Sequence, residues 1–511
     1  MLLWLFTSCH APEFHTDAPI YQTYDIRDMH EERVGTATLY RTSNGWQSKM
    51  EKGLFSISDR KEAAYESVHR FGRGFQTFLT DKDWVRRAGL VRTRKAVSQP
   101  LWIEHRHAAT TPLSGGLAGW ADIAQNIGDI PAAQAVWNLA EGIEETLYID
   151  LIPNPSVQYN GRDVQRHFVR TAAHGRSLWL SEGKLLALSD QMSGISVVAT
   201  DFEIPKESRP ATPAHIWEET VVAKGEHVEL YGSLSTPKAS SAPLPGVLLI
   251  QGSGPTDRDG SNAAVDFGLL RTLAWYLNDQ GFAVLRYDKR GVGESIVSDE
   301  APKPLFTHLI EDAASMRDAL KASPKVDATC LYVIGHSQGG FIAPEIAVGQ
   351  PEIQGVILLG SAARPITEVL QTQLKAISKA HNLPEDQSRE SERAQSSYLL
   401  SLEHKKGDFM KSWSEIDPSQ SLRSLQSHVL AVIGEHDVQS VPSVEIPALE
   451  EALSANANAT VTVLPELDHL MMQTEGVPGM GWYTHPSRVP ATIFLETIGD
   501  WMRKNPCTPT P

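Results

Sequence analysis

The segment Gly335-His336-Ser337-Gln338-Gly339-Gly340 carries the most specific chemical pattern in this sequence. It follows the apolar run 331–334 and precedes a helical pattern from Phe341, so the serine falls on a strand–turn–helix junction. Small flanking residues permit the strained turn that such a junction needs, and the turn exposes the serine Oγ above a sheet. A serine hydroxyl is a weak nucleophile until a base takes its proton, and the base needs an acid to orient it. After an elbow of this kind the acid comes first in the chain and the base second. Asp437 lies three residues past Gly434, beyond the apolar run 429–433, with Glu435 as the second choice. His469 lies five residues past the last strand run, 461–464; His436 precedes that run and His485 sits near the last helix, so both are weaker bases. Asp468 cannot orient its own neighbour and reads as a solvated loop charge.

Negative charge developing on an attacked carbonyl needs two backbone N–H groups aimed at it. Gln338 supplies one. The loop after the run 246–250, Gln251-Gly252-Ser253-Gly254-Pro255, supplies the other, from Ser253 or alternatively Gly252. A phosphate loop is excluded there, because Asp257 occupies the place of the third glycine in G-x-G-x-x-G and no Gly-Lys-Ser/Thr follows. Asp288, Arg290 and Glu294 follow a strand but read as structural: the aspartate braces the turn, Arg290 pairs with it, and Gly291 and Gly293 relax the backbone. Asp257, Arg258 and Asp259 read the same way, with Arg258 the one among them within reach of a substrate role. His105 and His107 have the i, i+2 spacing of strand ligands, yet no third ligand stands nearby, so no metal site is expected.

The segments 252–260, 286–295 (Arg286-Tyr287-Asp288-Lys289-Arg290-Gly291-Val292-Gly293-Glu294-Ser295), the elbow and 467–470 resemble bacterial α/β-hydrolase-fold serine esterases. The group is that of acyl-peptidase-like and bile-acid-thioesterase-like hydrolases. The resemblance covers about 216–505 and implies carboxylic ester hydrolysis without a cofactor, on a small-molecule ester. Thioesterase, acyltransferase and acyl-peptidase activities would use the same Ser337, Asp437 and His469. An acyl-peptidase usually adds a propeller of repeated blades, and no internal repeat is found. A binding protein of the envelope with a vestigial hydrolase is the alternative from another class.

These residues need a scaffold, and the pattern from 216 onward supplies one. Short apolar runs at 246–250, 282–287, 331–334, 356–359 and 429–433 alternate with helical spacing such as Leu269, Leu273, Tyr276 and Leu277. Alternating β and α units predict a mostly parallel sheet with helices on both faces, opened by an antiparallel hairpin at 221–234. More than 60 residues separate the runs at 360 and 428, so 364–426 is expected to be a helical cap, with Val369, Leu370, Leu374, Ile377, Leu399 and Leu400 facing the pocket or forming the cap's own core. Upstream, 204–215 is a Pro-rich linker and 21–203 a smaller β-rich α+β domain: alternating runs between 146 and 198 read as antiparallel strands, and 118–123 and 132–143 as helices.

Composition narrows the rest. The 511 residues carry 46 basic against 62 acidic side chains, a net charge of −16, which excludes broad affinity for nucleic acid or anionic lipid. No apolar run approaches the roughly 20 residues of a membrane helix. Residues 1–9 end an apolar stretch on Cys9 and resemble a shortened lipoprotein signal, so residues 1–20 are read as an export signal and tail with Cys9 as a lipid-anchor position, and the protein as exported to the periplasm or envelope. Cytoplasmic residence is the alternative. Cys330 precedes the nucleophile strand and Cys507 follows the last helix, which brings both to the sheet edge opposite the site. Two unpaired thiols are the preferred expectation, with a bridge the alternative if the protein is exported.

Overall fold

Strand sequences that are apolar at every position need both faces covered, and the sheet that positions Ser337 meets that need. In the computed structural model the described residues are 19–27, 32–42, 45–54, 62–70, 74–79, 111–112, 120, 124, 127, 133–138, 143–153, 157–171, 175–191, 195–205, 209–262, 265–380, 407–474 and 479–507. The chain divides into two units, Met1–Glu207 with Thr484–Pro486, and Ser208–Tyr483 with Ser487–Pro511. Cys9, His105, His107, Leu399 and Leu400 lie outside the described residues.

Among the described residues, the first unit holds a twelve-stranded sheet. Its strands are β1 (Ile20–Arg27), β2 (Arg33–Thr42), β3 (Gly45–Leu54), β4 (Glu62–Arg70), β5 (Gly74–Leu79), β6 (Thr111–Pro112), β7 (Ala133–Asn138), β8 (Ile143–Ile152), β11 (Gln165–Arg170), β12 (Gly175–Ser181), β13 (Lys184–Asp190) and β14 (Ile195–Ala199). The order is β5-β4-β3-β2-β1-β14-β13-β12-β11-β8-β7-β6, and the short strands β9 (Gln158–Tyr159) and β10 (Arg162–Asp163) form a separate ribbon. Every pairing in the large sheet is antiparallel except β6 with β7. The helix expected over 132–143 is corrected: Ala133–Asn138 is a strand, paired with β8 from Ala133↔Tyr148 to Asn138↔Ile143. Alanines gave the segment helical character, but Val136 and Trp137 pair across strands, and that context overrides propensity.

The second unit opens with the antiparallel hairpin β15 (Ile216–Lys224) and β16 (Val228–Pro237). Then follow β17 (Leu244–Ile250), α1 (Leu269–Asp279), β18 (Ala283–Tyr287), β19 (Ile296–Val297), α2 (Phe306–Lys321), β20 (Val326–His336), α3 (Gly339–Ala347) and β21 (Ile353–Leu359). The chain continues through α4 (Ile366–Ala380), α5 (Gly407–Ser414), α6 (Pro418–Ser424), β22 (His428–Gly434), α7 (Pro442–Ala452), β23 (Ala459–Leu464) and α8 (Thr492–Lys504). The strand order is β15-β16-β18-β17-β20-β21-β22-β23, parallel from β18 to β23, with β19 on β16.

Alternate residues of the parallel strands feed two cores. Leu248, Ile250, Leu331, Val333, Val356, Leu358, Val429 and Ala431 pack with α2 and α3 on one face. Val247, Leu249, Tyr332, Ile334, Ile357, Leu359, Leu430 and Val432 pack with α1 and α8 on the other. In the insertion after β21, Val369 is buried and Leu370 packs beside it, while Trp413 of α5 stacks on Phe306 of α2 with ring centroids 4.8 Å apart. Those positions join the core between the sheet and helices α2 and α3. Leu374 and Ile377, further along α4, stay half-buried.

At the opposite sheet edge Cys330 and Cys507 are bridged, with Cα atoms 5.5 Å apart, so the preferred expectation of two free thiols is corrected. Helix α8 returns the chain to the start of β20, and Tyr332 Oη donates to Asn505 O at 2.7 Å beside the bridge.

Candidate active site

Ser337 follows β20 and precedes α3 with φ +52°, a left-handed conformation that is costly for a residue bearing a Cβ. The surroundings enforce it. Ser337 N donates to Leu359 O (2.8 Å), and Ser361 Oγ donates to Ser337 O (3.1 Å), so both backbone groups are held by the end of β21. A side chain at Gly335 would run into the Gly339 backbone, which is why the turn takes glycine there. The serine itself is half-buried between fully buried neighbours.

Asp437 and His469 meet at the next strand ends. His469 Nδ1 lies 2.8 Å from Asp437 Oδ2, with both residues buried. Asp437 Oδ1 accepts from the Gln439 and Ser440 amides, each at 2.7 Å, which fixes the carboxylate plane. A carboxylate accepts, so Nδ1 is the donating nitrogen of this contact and Nε2 is the ring nitrogen left outside it. Gly360, the residue after β21, lies against this pair: a Cβ there would stand 3.1 Å from His469 Nδ1 and 3.3 Å from Asp437 Oδ2.

The loop after β17 closes on the elbow. A Cβ on Gly252 would stand 3.3 Å from Ser337 Cβ and 3.0 Å from His336 Nδ1. Ser253 follows it and is exposed. Gln338 is buried at the start of α3, where a first-turn N–H has no intrahelical partner. Gly252 thus lies against Ser337, with Ser253 next to it in the loop and Gln338 next to the serine in the chain.

Three groups here escaped the sequence reading. His336 Nε2 donates to His469 O (2.9 Å), and burial pushes its pKa down to about 3, so it braces the His469 backbone as a neutral ring. Lys289 Nζ donates to Gly252 O, to Gly254 O (3.1 Å) and to Gln338 Oε1 (2.8 Å). Asp468 is buried, not solvated: its Oδ1 accepts from the Leu470 and Met472 amides (3.0 and 3.2 Å), and its Oδ2 from Arg488 (2.6 Å). Burial raises its pKa against the opposing pull of Arg488. A lysine two residues past a strand's carboxyl end is the one signal the sequence offers for Lys289.

The weaker candidates are engaged elsewhere. Glu435 accepts from Glu466 N (3.0 Å), and His436 Nδ1 meets Thr474 Oγ1 (2.6 Å). His485 belongs to the first unit and packs its ring on Phe168 at 4.7 Å. Asp288 does brace its turn, accepting from Glu294 N (2.9 Å), but its cation is Arg258 (Nη2–Oδ2 2.6 Å) rather than Arg290. Arg290 pairs instead with Asp312 (2.7 Å). Arg258 is further held by Glu294 and Ser233, and Asp259 lies buried between Arg271 and Arg286, so this charge cluster is a brace for the loop. No group of metal-ligating side chains occurs among the described residues.

Residues 265–405 match the family model described as serine aminopeptidase, S33; the match includes Ser337 and stops short of Asp437. Esterase EstD of Thermotoga maritima is 29% identical over 334 residues, spanning 63% of this chain and 74% of that protein. The solved esterase Pf2001 of Pyrococcus furiosus (18% identical) covers 59% of this chain and 96% of its own, with a TM-score of 0.40. The ferulic-acid-bound Est1E of Butyrivibrio proteoclasticus (19% identical) covers 56% and 98%, also at 0.40. With its strand order and its left-handed serine between β20 and α3, the second unit of the chain is an α/β-hydrolase-fold domain similar in sequence to Esterase EstD.

Proposed function

We propose that the second unit is a carboxylic ester hydrolase that works through an acyl-enzyme. Ser337 Oγ attacks the acyl carbon, His469 Nε2 takes the hydroxyl proton and returns it to the leaving alkoxide, and Asp437 holds the imidazole. The N–H groups of Gln338 and of Ser253, or alternatively Gly252, receive the oxyanion. Water, deprotonated by His469 in turn, releases the acid. The observation that carries this reading is the buried 2.8 Å contact between His469 Nδ1 and Asp437 Oδ2, which leaves the far nitrogen free to act as a base. General-base and oxyanion contributions of this kind are worth about 10² to 10⁴ in rate each.

Ser337→Ala tests it. The variant should fold, lose at least about 10³-fold in p-nitrophenyl acetate turnover, and fail to react with a fluorophosphonate that labels the unaltered protein. Ordinary turnover in that variant sinks the reading.

Acyl length is assigned to the insertion, with short to medium chains favoured. Gln373 of α4 donates to Gln439 Oε1 (3.3 Å), the residue whose amide holds Asp437, so α4 runs beside the acid's turn and offers Leu374 and Ile377 next along it. Leu374→Ala and Ile377→Ala should shift chain-length preference while Ser337 stays reactive to a small fluorophosphonate. Unchanged preference in both removes this role. The family model's description favours one second reading, peptide-bond cleavage at the same serine. Aminoacyl p-nitroanilides cleaved faster than p-nitrophenyl esters would select it.

A further inference from the structure

Lys289 is a buried cation in an unusual setting. It lies just past β18, and its three hydrogen-bond acceptors, Gly252 O, Gly254 O and Gln338 Oε1, are all neutral. The adjacent carboxylate, Asp288, is turned toward Arg258, which keeps it ionised although burial opposes this. The other titratable group set against Lys289 is His336 at the end of β20, a neutral ring. The acceptors are not random: two belong to the loop after β17 and one to the residue after Ser337.

We propose that Lys289 is a positioning residue for the oxyanion hole, its ammonium clasping the loop that bears Gly252 and Ser253 to the helix start that bears Gln338. An ammonium has three N–H donors and matches three acceptors. A neutral amine has two donors and a lone pair, so on deprotonation one acceptor loses its partner and the clasp opens. The charge also contacts Gly252, next to Ser253, and Gln338 itself, where it favours a nearby oxyanion. Burial pushes the Lys289 pKa down to about 7, so the clasp titrates in the working range of an esterase. Lys289 must be charged to hold all three acceptors, so activity falls as pH rises through its titration.

The inference rests on the reading of Ser337 as nucleophile. The test is kcat and KM for p-nitrophenyl acetate between about pH 5.5 and 9.5 on the full chain, in the unaltered protein, Lys289→Met and Lys289→Arg, with Ser337→Ala alongside. The unaltered protein should show a falling limb between about pH 7 and 9. Lys289→Met should lose about 10²-fold in kcat with KM within about threefold, and should lack that limb. Lys289→Arg, permanently charged, should recover at least about tenfold of the loss and stay level at high pH. Unaltered kcat in Lys289→Met, or the same falling limb in it, overturns the inference. Should Lys289→Met not fold, the unaltered protein decides: a falling limb supports the clasp and a flat profile to pH 9.5 overturns it. Activity retained in Ser337→Ala would instead overturn the nucleophile, whatever Lys289 does.

Discussion

Two buried aspartates precede His469 in the chain, and their environments are opposite. Asp437, in the turn after β22, is met by two backbone amides and the His469 ring. Asp468, in the turn after β23, is met by two backbone amides and Arg488. One carboxylate thus faces a partner that can gain and lose a proton, the other a permanent cation. Equal burial and equal amide support do not make equal roles. The identity of the third partner separates a group that answers a change of charge from one that locks a loop.

Removing each carboxylate charge should separate the two. Asp437→Asn should keep the fold and cost about 10⁴ in kcat for p-nitrophenyl acetate, because the amide permits the wrong imidazole tautomer. Asp468→Asn should do the reverse. It strands Arg488, whose side chain is 6% exposed, and should cost about 3–5 kcal/mol in urea unfolding while the folded fraction keeps activity within about tenfold. If Asp468→Asn lost 10⁴ in kcat at unchanged stability, the assignment of the two turns would be exchanged.

Much of this site could be read from the chain. The elbow is local, since a strand, a small-residue turn and a helix are contiguous around Ser337, and Asp437 and His469 each follow an apolar run by a few residues. What could not be read is contact between distant segments. Asp468 looked solvated because its cation is twenty residues downstream at Arg488. Asp288 was matched with Arg290, two positions on, when its partner is Arg258 from the loop after β17. Lys289 and His336 stand inside motifs yet act through backbone carbonyls, which no side-chain pattern announces. In the first unit, alanine-rich spacing at 132–143 suggested a helix where cross-strand pairing with β8 makes a strand.

His336 sharpens the comparison from a third side, since it holds the His469 carbonyl without any charge. Its pKa falls from an ordinary 6.5 to about 3 on folding. The unfolded chain therefore binds an extra proton between those values, and stability drops as pH falls through 6.5. From pH 6.5 to 5 the unaltered protein should lose about 2 kcal/mol more than His336→Gln in urea titrations. Parallel losses in the two proteins would mean that the ring is not held neutral. The smallest effect belongs to the far edge of the sheet. Cys507→Ser removes the bridge to Cys330, but Asn505 is still tied to Tyr332, so the cost should be about 1 kcal/mol with kcat unchanged. A change in kcat would show that the lower edge reports to the site.

The claim beneath all of these is that Ser337 carries the acyl group. Rapid mixing with p-nitrophenyl acetate, an acid quench and mass mapping of the peptides tests it directly. An acetyl group on the Ser337 peptide, formed within the p-nitrophenol burst and absent from Ser337→Ala, is the predicted result. Acetyl on another residue during the burst, or a burst of unchanged size in Ser337→Ala, would contradict it.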